Sequence, residues 1–359
     1  MNIPVTHPAS VPADVPANAH TTSPPGTPAS TAAPVLVEAE GVCTWFPVGR
    51  GWRPKMLRAV DGVSFTVHQG ETLALVGESG SGKTTLGRTL LRLIEPTAGH
   101  IRFGGLDLTT LDARRLRSLR RQMQIVFQDP YASLDPRMSV ADIVAEGLVV
   151  HGIGSRTERA ARVADVLELV GLDPAFAQRF PHALSGGQRQ RVGIARALAL
   201  QPRFIVADEA VSSLDVSVQA QVLHVLADLR QRLGLTMLFI THNLGVVRMI
   251  ADRVAVMYLG RLVEIGPTAE VFARPAHPYT RALLASVPVP DPYVRLALPD
   301  LQGELPGGLE RPGGCVFRTR CPLAVPACAE CVPALADTTV AGHRAACIRI
   351  NDIAANPAR

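Results

Sequence analysis

The sequence predicts an α/β layered domain built on a largely parallel sheet, and three observations carry that reading. Short apolar runs recur along the chain at Leu73-Ala74-Leu75-Val76, Phe204-Ile205-Val206-Ala207, Leu238-Phe239-Ile240 and Val254-Ala255-Val256-Met257. Runs without polar alternation suit strands covered on both faces, as parallel strands are. Helical stretches lie between them: Val218, Val222, Val225, Leu226 and Leu229 share one face at the 3.6-residue period. Strand-helix alternation of this kind needs crossover connections, which place helices on the faces of a parallel sheet.

Composition bounds what such a domain does. The 359 residues correspond to about two domains and can bury a full core without disulfide staples. With 47% apolar and 19% charged residues, most of the chain is expected to be globular. Aromatics at 4% argue against stacked-base recognition as the main activity. The excess of 36 Lys and Arg over 31 Asp and Glu gives +5, a mild basicity that fits anionic ligands or a membrane surface without implying nucleic acid. No stretch reaches the run of about 18 apolar residues that a membrane-spanning helix needs. The N-terminus also lacks the basic-then-apolar layout of a secretory signal.

In chain order, residues 1–34 carry Pro4, Pro8, Pro12, Pro16, Pro24, Pro25, Pro28 and Pro34 among Ala, Ser and Thr, and read as a disordered tail. Strand-like texture starts at Val35. The run ending at Val76 meets Gly77, and Leu86, Leu90, Leu93 and Ile94 then predict an amphipathic helix. Arg114, Arg115, Arg117, Arg120 and Arg121 alternate with Leu111, Leu116 and Leu119, which reads as a solvated helix face rather than a phosphate or nucleic-acid contact. Strand signals vanish from about Asp135 to Phe180, where Val163, Val166, Leu167 and Val170 mark a helix. A helical insertion over about 130–182 is expected. Past Ala273 prolines return, predicting a linker to a cysteine-rich end. The expected organisation is a tail over 1–34, the α/β domain over 35–272, an extension over 273–350 and a tail over 351–359. No internal repeat is visible.

Gly77-Glu78-Ser79-Gly80-Ser81-Gly82-Lys83-Thr84, followed by Thr85, matches G-x-x-x-x-G-K-[ST] between a strand and a helix, the context that this phosphate loop requires. Its glycines let successive backbone N–H groups face a phosphate, and the helix start adds the positive end of its dipole. Lys83 is expected on the β- and γ-phosphates, and the Thr84 hydroxyl on Mg²⁺. A second apolar strand ends in Asp208-Glu209, which puts two carboxylates at the strand's C-terminal edge, where open α/β sheets bind ligands. Asp208 can hold Mg²⁺ through water, and Glu209 can act as general base on the attacking water.

Leu184-Ser185-Gly186-Gly187-Gln188 opens the helix Arg189-Gln190-Arg191-Val192-Gly193-Ile194-Ala195-Arg196-Ala197-Leu198, a second anion-binding helix start. One nucleotide has no need of two cradles on one chain. At this point the sequence resembles the ATP-binding cassette family, in which ATP is sandwiched between the phosphate loop of one domain and the LSGGQ of another. The resemblance implies a P-loop NTPase fold: a RecA-like parallel core with an antiparallel β subdomain, a helical subdomain and a small Cys-rich C-terminal extension. It also implies Gln128 as the glutamine that reaches Mg²⁺ and faces a membrane partner, and Ser213 and Asp215 in Ser212-Ser213-Leu214-Asp215 as the loop crossing the dimer interface. His242 becomes the switch histidine near the γ-phosphate, and an aromatic of Trp45-Phe46, Phe46 by preference, stacks on adenine. Two positions depart from the family pattern: Ala210 stands where relatives usually have Pro, and Asn243 where they usually have Asp. Neither removes a group with an assigned chemical role, so hydrolysis is still expected.

A narrower resemblance runs from Val60-Asp61-Gly62-Val63-Ser64-Phe65 through Gln128-Asp129-Pro130-Tyr131-Ala132-Ser133-Leu134 to His277-Pro278-Tyr279-Thr280-Arg281-Ala282-Leu283-Leu284. It is to the oligopeptide and dipeptide importer branch of bacteria, in particular its second ATPase subunit. This implies a paralogous ATPase as partner, two transmembrane permeases, an external peptide-binding protein reached indirectly, and residence at the cytoplasmic face of the inner membrane. No nucleic-acid partner is expected. The other classes weighed are a soluble cassette ATPase acting on nucleic acid or ribosomes, and a hydrolysis-deficient regulatory half of an asymmetric pair.

Five of the six cysteines fall at Cys315, Cys321, Cys328, Cys331 and Cys347. Such crowding points to a metal site in a reducing compartment rather than to disulfides. Spacing alone makes Cys328-x2-Cys331 half of a zinc site. The resemblance instead implies Cys315, Cys321, Cys328 and Cys347 as ligands of a [4Fe–4S] cluster, with Cys331 spare. Zinc and unligated thiols are the alternatives.

Overall fold

A computed structural model describes residues 33–49, 55–212, 214–287, 308–309 and 311–355. The expected N-terminal tail up to residue 32, Ser213 and most of the proline-rich linker lie outside these residues. Two long strands come first, β1 (Val35–Val48) and β2 (Lys55–His68), then β3 (Thr72–Val76) and α1 (Lys83–Leu90). The chain continues through β4 (Ala98–Phe103), β5 (Leu106–Asp107), α2 (Ala113–Arg120) and β6 (Met123–Val126). The helical stretch holds α3 (Val140–Val150), α4 (Arg156–Leu169) and α5 (Gly186–Ala199). The core resumes with β7 (Phe204–Asp208), α6 (Val216–Leu233), β8 (Thr236–Thr241), α7 (Leu244–Ile250), β9 (Arg253–Tyr258) and β10 (Arg261–Pro267). The C-terminal part supplies α8 (Thr268–Ala273), α9 (Pro278–Ala285), β11 (Ala336–Asp337), β12 (Arg344–Ala345) and α10 (Ile350–Ala355).

The strands form two sheets. One is antiparallel in the order β2-β1-β4-β5; the other runs β11-β12-β10-β9-β3-β8-β7-β6. In the second, β6, β7, β8, β3 and β9 pair in parallel, and the remaining pairings are antiparallel. The four apolar runs read from the sequence are four of those five parallel strands. Every residue of β3, β7 and β8 is buried, which is why no polar alternation marks them. The insertion contains no strand among its described residues; Val144, Val166 and Leu167 there join the core that lines one face of the sheet.

Two expectations are corrected. The helix after the phosphate loop ends at Leu90 rather than running to Ile94: Arg92 adopts φ 49°, and the N–H groups of Leu93 and Ile94 both turn back to the Arg88 carbonyl. Leu93 is accordingly exposed. The segment read as a terminal tail from 351 begins inside α10. The extension is also joined to the nucleotide-binding core, since β12 pairs with Glu264 and Ile265 of β10 and lengthens the main sheet. Buried Glu264 fastens this junction, accepting hydrogen bonds from Ala276 N at 2.7 Å and His277 N at 2.9 Å and pairing with His343 Nε2 at 2.7 Å. No helix among the described residues is long and apolar enough to cross a membrane.

Candidate nucleotide site

The first strand-to-helix turn of the parallel sheet builds the site. Gly77 and Gly82 take positive φ of 155° and 102°. A Cβ on either would stand 2.1 Å from the Met257 carbonyl oxygen or 2.0 Å from that of Ala59, so only glycine lets the loop lie this close to β9 and β2. Lys83, the first residue of α1, is buried and folds its ammonium back onto the loop, donating to the carbonyls of Gly77 and Glu78 at 2.8 Å each. Burial pushes its pKa down, against the pull of the Glu209, Asp208 and Glu78 carboxylates.

The two carboxylates at the end of β7 stand beside it. Asp208 is buried and accepts a hydrogen bond from Thr84 Oγ1 at 2.8 Å; burial raises its pKa, opposed by that bond and by Arg88. Glu209 departs from the strand with φ 47°, a left-handed conformation uncommon outside glycine. Its N–H is tied to the Ile240 carbonyl and its carbonyl takes the Ser212 N–H, so the surrounding turn holds that geometry. The side chain accepts from Gln128 Nε2 at 2.9 Å and lies 3.4 Å from His242 Nδ1. With alanine at position 210, no proline restricts the backbone at Glu209.

These groups surround a cavity of about 600 Å³, within the range of small-molecule sites. Phe46, Ser79, Gly80, Gly82, Lys83, Thr84, Thr85, Gln128, Glu209 and His242 line it. Gly77, Ser81 and Asp208 lie buried behind that wall. Phe46 is on the lining, whereas Trp45 is not and has Arg58 stacked over its ring, 4.8 Å from the centroid. Sequence reasoning missed Gly308 and Arg311, which the extension contributes to the same lining. Arg311 is fixed there by Asp61 at 2.5 Å and by the Leu259 carbonyl. No motif marks either residue.

Leu184, Ser185, Gly186, Gly187 and Gln188 are not on this lining. Ser185 caps α5, accepting from Gln188 N at 3.3 Å while its own N–H donates to Gln188 Oε1 at 3.0 Å, a capping box that shapes a free helix start. Ser185 is exposed. Asp215 occupies the N-cap position of α6, without a capping bond from its side chain, and is exposed as well. On α7, Asn243 caps the helix through Gly245 N at 3.0 Å, a task that aspartate would perform equally well.

In the extension, Cys315, Cys321, Cys328 and Cys347 all line one small cavity, while Cys331 is exposed and points to the Ala327 carbonyl. Burial pushes the thiols of Cys315 and Cys347 up and that of Cys321 up to about 11. No group of three or more His, Cys, Asp or Glu among the described residues is arranged to hold a metal ion.

Residues 60–212 match the ABC transporter family, and residues 263–328 match the oligopeptide/dipeptide transporter C-terminal region. A protein of Brucella ovis named as a peptide import ATP-binding protein is 58% identical over 299 residues, covering 83% of this chain and 94% of that protein. An oligopeptide transport ATP-binding protein of Bacillus subtilis is 50% identical over 83% of this chain and 92% of its own length. Among solved structures, a dimeric ATP-binding cassette in a post-hydrolysis state with ADP and Pi superposes with TM-score 0.59 at 30% identity, covering 65% of this chain and 99% of that one. A Clostridium perfringens subunit of an ABC transporter complex gives TM-score 0.59 at 28% identity over 67% of this chain and 91% of that one. The chain therefore belongs to the ABC transporter ATPase family, in the branch that carries the oligopeptide/dipeptide transporter C-terminal region.

Proposed function

We propose that the chain is the ATP-hydrolysing subunit of a bacterial importer for dipeptides and oligopeptides, pairing with a paralogous ATPase beneath two permeases at the cytoplasmic face of the inner membrane. The observation that carries this reading is the division of the nucleotide groups. Phosphate loop, Gln128, Glu209 and His242 share one cavity, while Leu184–Gln188 lie off its lining with Ser185 exposed. In this reading Gly77 and Ser79–Thr85 bind the phosphates, Phe46 meets the base, and Lys83 moves from its loop carbonyls onto the β- and γ-phosphates. Glu209 takes the proton of the attacking water, with Gln128 and His242 aiming its carboxylate. Leu184–Gln188 complete the partner's site, and Ser213 and Asp215 lie along the seam.

The oxygens of Thr84 and Asp208, 2.8 Å apart, and the neighbouring Gln128 fit a Mg²⁺ site. Bound there, the ion would neutralise charge on the phosphates. For the extension, Cys315, Cys321, Cys328 and Cys347 line one cavity while Cys331 stays outside it, the division that the family resemblance implies for a [4Fe–4S] cluster, with zinc as the alternative. Anaerobic purification should then yield brown protein containing iron and sulfide, unchanged by Cys331→Ser; colourless protein with stoichiometric zinc would overturn the cluster.

The contacts of Gln128 and His242 with the Glu209 carboxylate favour a hydrolysing subunit over a regulatory one. Reconstitution with the partner ATPase, permeases and binding protein in liposomes tests the whole reading. ATP-driven peptide uptake should disappear with Glu209→Gln while nucleotide binding persists. Uptake that survives the substitution, or turnover stimulated by nucleic acid or ribosomes instead of peptide, would refute it.

A further inference from the structure

Glu78, the second residue of the phosphate loop, is held from the C-terminal extension. Its N–H donates to Tyr279 Oη at 2.9 Å, and its carboxylate accepts from Arg320 Nη1 at 3.1 and 3.0 Å. Its carbonyl receives Lys83 Nζ at 2.8 Å, so the residue clamped by the extension is also one that parks the phosphate lysine. The clamp has a rigid base. Tyr279 packs against Tyr258 at 4.6 Å and Phe317 at 5.4 Å between centroids, and all three rings are buried. Arg320 follows Phe317 within one turn, its N–H bonded to the Phe317 carbonyl at 3.0 Å, and its side chain is only 10% exposed.

A carboxylate in a phosphate loop raises an electrostatic difficulty: Glu78 is off the cavity lining but directly precedes Ser79 and Gly80, which are on it, so it adds negative charge beside the loop that a triphosphate must approach. Like charges at such range repel by an amount that matters at the effective dielectric of a partly buried site. Arg320 is the cation in contact with it. We infer that Arg320 is a positioning residue for nucleotide binding: by neutralising and orienting Glu78, the cysteine-rich extension sets the affinity of the phosphate loop for ATP. The inference rests on the reading of Gly77–Thr84 as the phosphate loop. Repulsion from an uncompensated Glu78 acts on bound substrate and transition state alike, so its loss weakens binding without slowing the chemical step.

The test is a charge-removal cycle on the full chain, read by equilibrium binding of a fluorescent ATP analogue and by steady-state hydrolysis with the partner ATPase. Arg320→Gln should raise the Kd and KM for ATP by about ten-fold with kcat within about two-fold, on the scale of one partly screened charge contact. Adding Glu78→Gln should restore both to within about two-fold of the original chain, because the repelling charge is gone; a merely structural Arg320 would not be rescued this way. Arg320→Lys should retain most of the affinity, since Nη1 alone makes the contacts to Glu78. Thermal melting of each variant verifies folding, and should Arg320→Gln fail to fold, the Lys variant and the double variant carry the comparison. Unchanged affinity in folded Arg320→Gln, or a double variant as weak as the single one, would overturn the inference. Lys83→Ala separates it from the underlying reading: if that variant binds ATP normally, the phosphate loop itself is misassigned.

Discussion

Ser185→Asp separates the fold of α5 from its use at the seam. Ser185 is exposed and serves its own chain as a helix cap, with its Oγ accepting from Gln188 N at 3.3 Å. Aspartate caps as well as serine does, and a negative charge at a helix start is favourable by about 0.3–1 kcal/mol, so the melting temperature should hold or rise slightly. Across the seam the same carboxylate would face the partner's γ-phosphate. A unit charge about 4 Å from another costs about 4 kcal/mol at an effective dielectric of 20, or about 10³-fold in affinity. The assay is ATP-dependent association with the partner ATPase, measured by light scattering in a Glu209→Gln background that prevents turnover. Ser185→Asn, which keeps the cap without the charge, should associate nearly as well as serine. Gly187 is a poorer probe, because a Cβ there would stand 2.3 Å from Val218 Cγ1 of the same chain and disturb the fold itself. If Ser185→Asp associates within about three-fold of the original chain, the helix start does not face a phosphate and the seam is wrongly drawn.

Two further outcomes follow from the geometry. Gly77→Ala should abolish ATP binding and lower the melting temperature by several degrees, since its Cβ would press into the Met257 carbonyl at 2.1 Å; a variant that melts and binds normally would show that the loop has room to move. His277 is buried, accepts from Tyr279 N through Nδ1 at 3.1 Å, and has its pKa pushed down from 6.5 to about 4 by burial. The unfolded chain therefore binds the extra proton first, so the stability that His277 contributes is complete above about pH 6.5 and is lost as pH falls toward about 4. His277→Asn, which keeps a capping acceptor, should flatten that part of the melting-temperature profile, and an unchanged slope would assign the acid sensitivity elsewhere.

What was legible in the sequence was what is contiguous or periodic. The phosphate loop, the Asp208-Glu209 strand end and the capping sequence at Ser185 are each local, so residue order alone places them on turns and helix starts. The parallel strands were legible because burial on both faces removes polar residues from them. The antiparallel sheet was less so: β1 and β2 contain register shifts near Val42 and Thr44 that interrupt the two-residue alternation. The end of α1 is not legible because Leu93 and Ile94 continue the apolar spacing, while the left-handed turn at Arg92 that stops the helix has no glycine to announce it. Least legible was the reach of the extension into the site. Glu78 and Arg320 stand 242 positions apart, and their contact depends on β12 joining the main sheet and on Phe317 docking against Tyr258.

If a complete ATPase site draws groups from two chains, hydrolysis must depend on the partner. A dilute solution of this chain should turn over little ATP, with a rate that climbs as partner ATPase is titrated in and saturates at one partner per chain. A rate per chain that is already maximal without partner and independent of total concentration would contradict it.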